Sequence, residues 1–142
     1  MANQSFPCRI IVSGFAEEVA VVSQDPFSLT GEFDSKTGTV ANPRSSLFGT
    51  SLRGKIFAYP YGRGSSCTSA VLAEAVRLRT APAAIINVEV EPILIVGALV
   101  AQSLYDRTVP IISVSLEVFR SLESGDRLRI NATTGELVRT IS

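Results

Sequence analysis

Lys55-Ile56-Phe57-Ala58-Tyr59-Pro60-Tyr61-Gly62-Arg63-Gly64-Ser65-Ser66-Cys67, followed by Thr68 to Arg79, is the stretch from which the fold can be read. A short apolar run, Ile56 to Tyr59, stops at Pro60 and enters Gly62-Arg63-Gly64-Ser65-Ser66. Val71, Leu72, Ala75, Val76 and Leu78 then recur at helical spacing. The pattern predicts strand, glycine loop, helix. Such a loop brings backbone N–H groups and the positive end of a helix dipole to one point, where a carboxylate or phosphate is favoured. The hydroxyls of Ser65 and Ser66 belong to the same point. A serine oxyanion held by N–H groups, a helix N-terminus and nearby Arg63 can act as base or nucleophile. Serine is equally a common helix N-cap and glycine an ordinary turn residue, so from the residues alone both readings stand. The loop lacks a Gly-Lys-Ser/Thr ending, and no third glycine follows Gly62 and Gly64 at the dinucleotide spacing, so neither phosphate fingerprint is met.

The 142 residues suit one domain spanning 1–142, large enough to bury a core. Hydrophobic residues make up 46% and charged residues 18%, which predicts a compact globular chain with apolar surface left for a partner. Lys+Arg and Asp+Glu are both 13, which argues against nucleic acid and anionic membranes as partners. There is no basic, apolar leader pattern, and the longest apolar run, Ile93 to Ala101, is broken by Gly97 and too short for a membrane span. The expected location is cytoplasmic. Cys8 and Cys67 show no zinc spacing, and a disulfide between them is not expected.

Histidine is absent, so no Ser-His-Asp or Cys-His constellation can be assembled from this chain. Metal ligands would have to be carboxylates. Glu89 and Glu91 alternate like positions on one strand face and form no cluster. Asp34 and Lys36 sit in a turn-rich segment and are expected to be solvated.

In chain order, Cys8–Val12 and Ala20–Val22 read as a β-hairpin or two adjoining strands. Asp25-Pro26 marks a turn, and Phe27 to Phe33 alternates like a half-exposed strand (Phe27, Leu29, Gly31, Phe33). Asn42 to Gly54 has no period and reads as a functional loop. Beyond the central helix, Ala83–Ile86 has the continuous apolar character of a buried parallel strand. Glu91-Pro92 opens a helix whose Ile93–Gln102 segment carries no charge, so burial of most of its surface is expected. Val109–Val114 is a strand, Leu116–Leu122 a helical turn, and Arg127–Ile130 with Glu136–Arg139 a hairpin turning at Thr134-Gly135. The fold class is α/β: a βαβαβ parallel core flanked by β-hairpins in a compact β/β/α sandwich.

Tyr61-Gly62-Arg63-Gly64-Ser65-Ser66, Ser69–Glu74, Thr80-Ala81-Pro82-Ala83-Ala84-Ile85-Ile86-Asn87, Glu91-Pro92-Ile93 and Gly97-Ala98 together resemble the small, swivel-domain subunit of aconitase X. The likeness runs from about Gly31 to the terminal hairpin. It implies a swivelling β/β/α domain docked on a large catalytic subunit, which carries an iron or iron–sulfur centre, with the active site between the two. It also implies a dehydratase that removes a weakly acidic proton beside a small-molecule carboxylate while the metal assists loss of hydroxide. By this resemblance Ser65 is the proton acceptor, its charge borne by the loop amides and helix N-terminus. Arg63, Gly64 and Ser66 are then substrate-binding, with Arg63 pairing with the carboxylate and Gly64 allowing close approach. Cys67 reads as a small residue rather than a metal contact.

Two substrates go with the family: cis-3-hydroxy-L-proline, dehydrated to Δ1-pyrroline-2-carboxylate, and (R)-5-phosphomevalonate. Archaeal members read Ser-Thr-Val-Gly-Ser where this chain has Ser65-Ser66-Cys67-Thr68-Ser69, a departure that leans toward hydroxyproline. A phosphorylated substrate would call for further basic residues, which Arg44 or the partner would supply. A third reading is a non-catalytic anion-binding or regulatory module in which Ser65 merely caps the helix.

Overall fold

The computed structural model describes residues 3–63, 65–131 and 133–140. The expected central strand is β6 (Ile56–Ala58), buried along its whole length. It is followed by α2 (Thr68–Leu78), β7 (Ala84–Asn87), α3 (Pro92–Tyr105) and β8 (Ile111–Ser113). β6, β7 and β8 pair in parallel, and β3 (Phe15–Val22) adds a fourth parallel strand beside β6. The βαβαβ core is thus present with one strand more than its pattern shows.

β4 (Phe33–Asp34) and β5 (Thr39–Val40) form a separate two-stranded ribbon, and the other strands extend this core into one eight-stranded sheet of order β1-β10-β9-β3-β6-β7-β8-β2. β9 (Arg127–Asn131) and β10 (Glu136–Thr140) form the expected terminal hairpin, β1 (Gln4–Pro7) lies outside β10, and β2 (Arg9–Val12) lies antiparallel to β8. β1 and β2 stand at opposite ends of the strand order, yet Cys8 alone separates them in the chain. The sheet therefore curls until its two ends meet at that residue.

Curling gives the sheet an inside and an outside, and the period-2 alternation of strand side chains fills both. Ile56, Ala58, Ala84, Ile86 and Ile112 point into an inner core shared with Leu128, Ile130 and Leu137. Their neighbours Phe57, Ile85 and Ile111 point outward, beneath Leu72, Ala75 and Val76 of α2 and Leu94, Ala98 and Ala101 of α3. Burial on both faces is why these strands read as unbroken apolar runs. A short helix, α4 (Leu116–Ser121), caps the inner core with Val118, Phe119 and the following Leu122.

The structure corrects three expectations. β2 and β3 are neither a hairpin nor neighbours, because β6, β7 and β8 lie between them. Phe27–Phe33 is not a strand: Leu29–Glu32 form α1, capped by Ser28, whose Oγ accepts the Gly31 N–H at 3.4 Å while the Glu32 carboxylate accepts the Ser28 N–H at 2.8 Å. This reciprocal cap outweighs the alternation, and Phe27, Leu29 and Phe33 are buried all the same. Finally, α3 is buried on one face only. Leu94, Gly97, Ala98 and Ala101 pack inward, whereas Val96, Leu99, Val100 and Leu104 are exposed. Lack of charge does not place a residue inside, since much of any protein surface is apolar.

α2 and α3 approach closely. A Cβ on Gly97 would lie 2.9 Å from Ser69 Cα, so glycine is what lets the first turn of α2 rest on α3.

Candidate functional site

The glycine loop leaves the carboxyl end of β6, the end of a parallel sheet at which ligands bind in open and closed α/β folds alike. Its first half continues the sheet. Val88 and Glu89 donate their N–H groups to the Pro60 carbonyl at 2.9 and 3.1 Å. On the other side the Phe27 N–H donates to Tyr61 O and the Arg63 N–H to Phe27 O, each at 3.2 Å. Phe27 is seated edge-on against Phe57, with ring centroids 4.9 Å apart, so the anchor is packed into the core. Glu91 leans on the loop from the start of α3. A Cβ on Gly62 would lie 1.8 Å from Glu91 Oε1, so any larger residue there would have to push the Glu91 carboxylate aside. Burial pushes the Glu91 carboxyl above the usual range.

Ser65 is half-buried. Its Oγ accepts the Thr30 hydroxyl at 3.1 Å and the Cys67 N–H at 3.2 Å. The N-cap position of α2 belongs to Cys67, whose side chain makes no capping bond. Ser65 sits two residues ahead of it, with both donors directed at its oxygen. Hydrogen bonds donated to an oxygen favour its deprotonated form. Ser66 is exposed, and no hydrogen bond of its hydroxyl occurs among the described residues. Gly64 lies outside the described residues.

Arg63 forms an ion pair with Glu32, a carboxylate only 7% exposed. Glu32 also accepts from Asn42 Nδ2 at 2.9 Å, besides the Ser28 N–H. Burial alone would raise its pKa, but the bonds from Asn42, Ser28 and Arg63, together with the arginine charge, hold it below the usual carboxylate range. Thr30 and Glu32, two apart on α1, thus contact Ser65 and Arg63, two apart on the loop. Beside them is a cavity of about 390 Å3 whose lining includes Asp25, Phe27, Glu32, Asn42, Arg44 and Arg63. The Arg44 backbone N–H donates to Asn42 Oδ1 at 3.0 Å, and its guanidinium makes no ion pair among the described residues.

Sequence reasoning missed Thr30, Glu32 and Asn42 as neighbours of the loop. The available signal was the Ser28…Glu32 spacing, one residue longer than a capping box, which would have turned the supposed strand into a helix start. Asp34 and Lys36 are brought together away from the loop, the Lys36 N–H donating to Asp34 Oδ1 at 2.9 Å in a local turn. Cys67 is exposed, and no three His, Cys, Asp or Glu residues gather to hold a metal among the described residues. These side chains do not fit an iron or iron–sulfur centre.

Fold and loop together define a swivel-type β/β/α domain that presents a serine at the carboxyl edge of its sheet. The aconitase X swivel domain family model matches residues 5–139, and the chain belongs to that family. Phosphomevalonate dehydratase small subunits are similar along nearly their whole length. The protein from Methanococcoides burtonii is 33% identical over 136 residues, 95% of each chain, and that from Methanosarcina acetivorans 37% over 134 residues, 92% of this chain and 89% of that one. The crystal structure of Thermococcus kodakaraensis aconitase X in its holo-form superposes with a TM-score of 0.86 at 32% identity, over 97% of this chain and 99% of that one. No helix among the described residues is long and apolar enough to cross a membrane.

Proposed function

We propose that the chain is the small subunit of an aconitase X-type hydro-lyase, cytoplasmic, with its active site completed by a large catalytic subunit. Ser65 takes the proton beside the substrate carboxylate. The observation that carries this reading is the double donation to Ser65 Oγ, from the Thr30 hydroxyl and the Cys67 N–H. A serine alkoxide is otherwise too basic to form, and fixed donors in a site closed to water are what stabilise it. Arg63, steadied by Glu32, keeps guanidinium N–H groups for the substrate carboxylate, and Gly64 and Ser66 complete the cradle. The iron or iron–sulfur centre is assigned to the large subunit, and no residue of this chain is asked to ligate it.

For the substrate, (R)-5-phosphomevalonate is the better supported. The relatives carry that name, and the cavity holds a second arginine, Arg44, beside Arg63. A molecule with two anionic groups, a carboxylate and a phosphate, uses two such arginines. The cis-3-hydroxy-L-proline reading rests on the Ser65-Ser66-Cys67 departure in the loop, and a non-catalytic module would need no partner.

The test is co-expression with the large subunit and assay on both substrates. Ser65→Ala should leave substrate binding nearly intact and lower kcat about 10²- to 10⁴-fold, the usual worth of a general base. Ser66→Ala should cost far less. Solvent-deuterium exchange of the substrate proton reports abstraction directly. Exchange at the wild-type rate in the Ser65→Ala complex would place the base elsewhere.

A further inference from the structure

A second cavity, of about 330 Å3, lies at the opposite end of the parallel sheet, among the segments that lead into β6, β7 and β8. Arg53 reaches it from the segment before β6, Arg79 from the end of α2, and Arg107 from the turn after α3. Val76, Pro82 and Val109 belong to its apolar lining. No carboxylate lines it, and none of its three arginines forms an ion pair among the described residues. In a chain with 13 basic and 13 acidic residues, three arginines without an ion pair lining one cavity are not accounted for by overall charge.

Two of the arginines show why the arrangement is more than helix-end decoration. Arg107 Nη1 donates to Val76 O at 3.0 Å, so this guanidinium is tied to the last turn of α2 where Val76 lines the cavity. Arg79 occupies the C-cap of α2 at φ 62, a left-handed position that glycine or asparagine takes with less strain. Its guanidinium makes no hydrogen bond or ion pair among the described residues that would explain an arginine there. An anion in the cavity would.

We propose that this cavity binds a phosphate or diphosphate ester whose organic part is apolar, the anion between Arg53, Arg79 and Arg107 and the apolar group on Val76, Pro82 and Val109. The guanidinium fork matches phosphate oxygens in geometry as well as charge. Strands β6 to β8 separate the site from the glycine loop at their other ends, so it is distinct from the site of the proposed dehydration and does not depend on that activity.

The test is titration of the full chain, ¹⁵N-labelled, with inorganic phosphate, inorganic pyrophosphate and phenyl phosphate at low salt. Pyrophosphate and phenyl phosphate should shift the resonances of Arg53, Arg79, Arg107 and Thr108. Phenyl phosphate should bind several-fold tighter than inorganic phosphate, because only it uses the floor. Arg79→Ala and Arg53→Ala should each weaken binding about tenfold, a typical loss for one charge-assisted contact, with an unchanged spectrum elsewhere. Arg63→Ala should leave these shifts as they are, which separates this site from the glycine loop. The proposal is overturned if the cavity resonances do not move, if Arg79→Ala and Arg53→Ala bind as the wild type does, or if the phenyl group adds nothing.

Discussion

Gly97→Ala adds one methyl group where α3 crosses the first turn of α2. The new Cβ would stand 2.9 Å from Ser69 Cα, 3.0 Å from Ser69 O and 3.3 Å from Leu72 Cβ. Carbon atoms in good contact sit roughly 3.5 to 4.0 Å apart, so the helices must separate by about half an ångström or more. Two of the three atoms met are backbone, which cannot rotate away. Overpacking of this kind costs about 1 to 3 kcal/mol, against which alanine regains about 1 kcal/mol over glycine in a helix. A net loss of up to about 2 kcal/mol follows, read as a lower urea midpoint at unchanged m-value. Gly31→Ala in α1 is the control. Its Cβ would find only Ser28 Oγ, at 4.0 Å, so that variant should be neutral or slightly more stable. Because Ser69 lies in the first turn of α2, the Gly97 change should also disturb the Ser65 loop and lower turnover in the assembled enzyme. A Gly97→Ala protein more stable than wild type by the full alanine gain of about 1 kcal/mol would refute the close crossing.

Leu94→Ala should destabilise by about 2 to 5 kcal/mol, because Leu94 is fully buried. Leu99→Ala, at a residue 52% exposed, should change stability by no more than about 0.5 kcal/mol, and thermal melts of the pair check the two faces of α3. Glu32 supports a pH prediction. Its folded pKa lies below the unfolded value, so its stabilisation is complete above the unfolded pKa and is lost as pH falls through the folded one. The gap in Tm between wild type and Glu32→Gln should be widest near neutrality and narrow as pH falls below the ordinary glutamate pKa of about 4.3.

The parallel core was legible because each of its elements carries its own periodic signal. Ile56–Ala58 and Ala84–Ile86 are apolar on both faces, and α2 repeats at helical spacing, so neither needs distant information. Phe27 to Phe33 misled because the spacing of Phe27, Leu29 and Phe33 satisfies a strand and a short capped helix alike. The hydrogen bond of Ser28 to Gly31 decides between them, and a pattern of apolar residues does not contain it. The outer face of α3 was misjudged for another reason: Val96 and Leu99 do not reveal in one sequence whether anything covers them. In the candidate site, the loop could be found from Gly62 to Ser66, but its neighbours could not. Thr30 meets Ser65 and Glu32 meets Arg63 across more than thirty residues of chain, and contacts at that separation leave no local trace.

The meeting of β1 and β2 at Cys8 has a bearing on how the chain reaches its final form. β1 pairs with β10, so residues near the amino end wait for partners near position 140 before the ring can shut. A contact between such distant parts of a chain closes slowly. Until it does, β8 and β10 each offer a bare row of N–H and C=O groups, the template on which strands of other molecules add. Residues 4–12 therefore act as a clasp. A truncation that removes them would be expected to leave the parallel core intact while making the protein prone to edge-to-edge association.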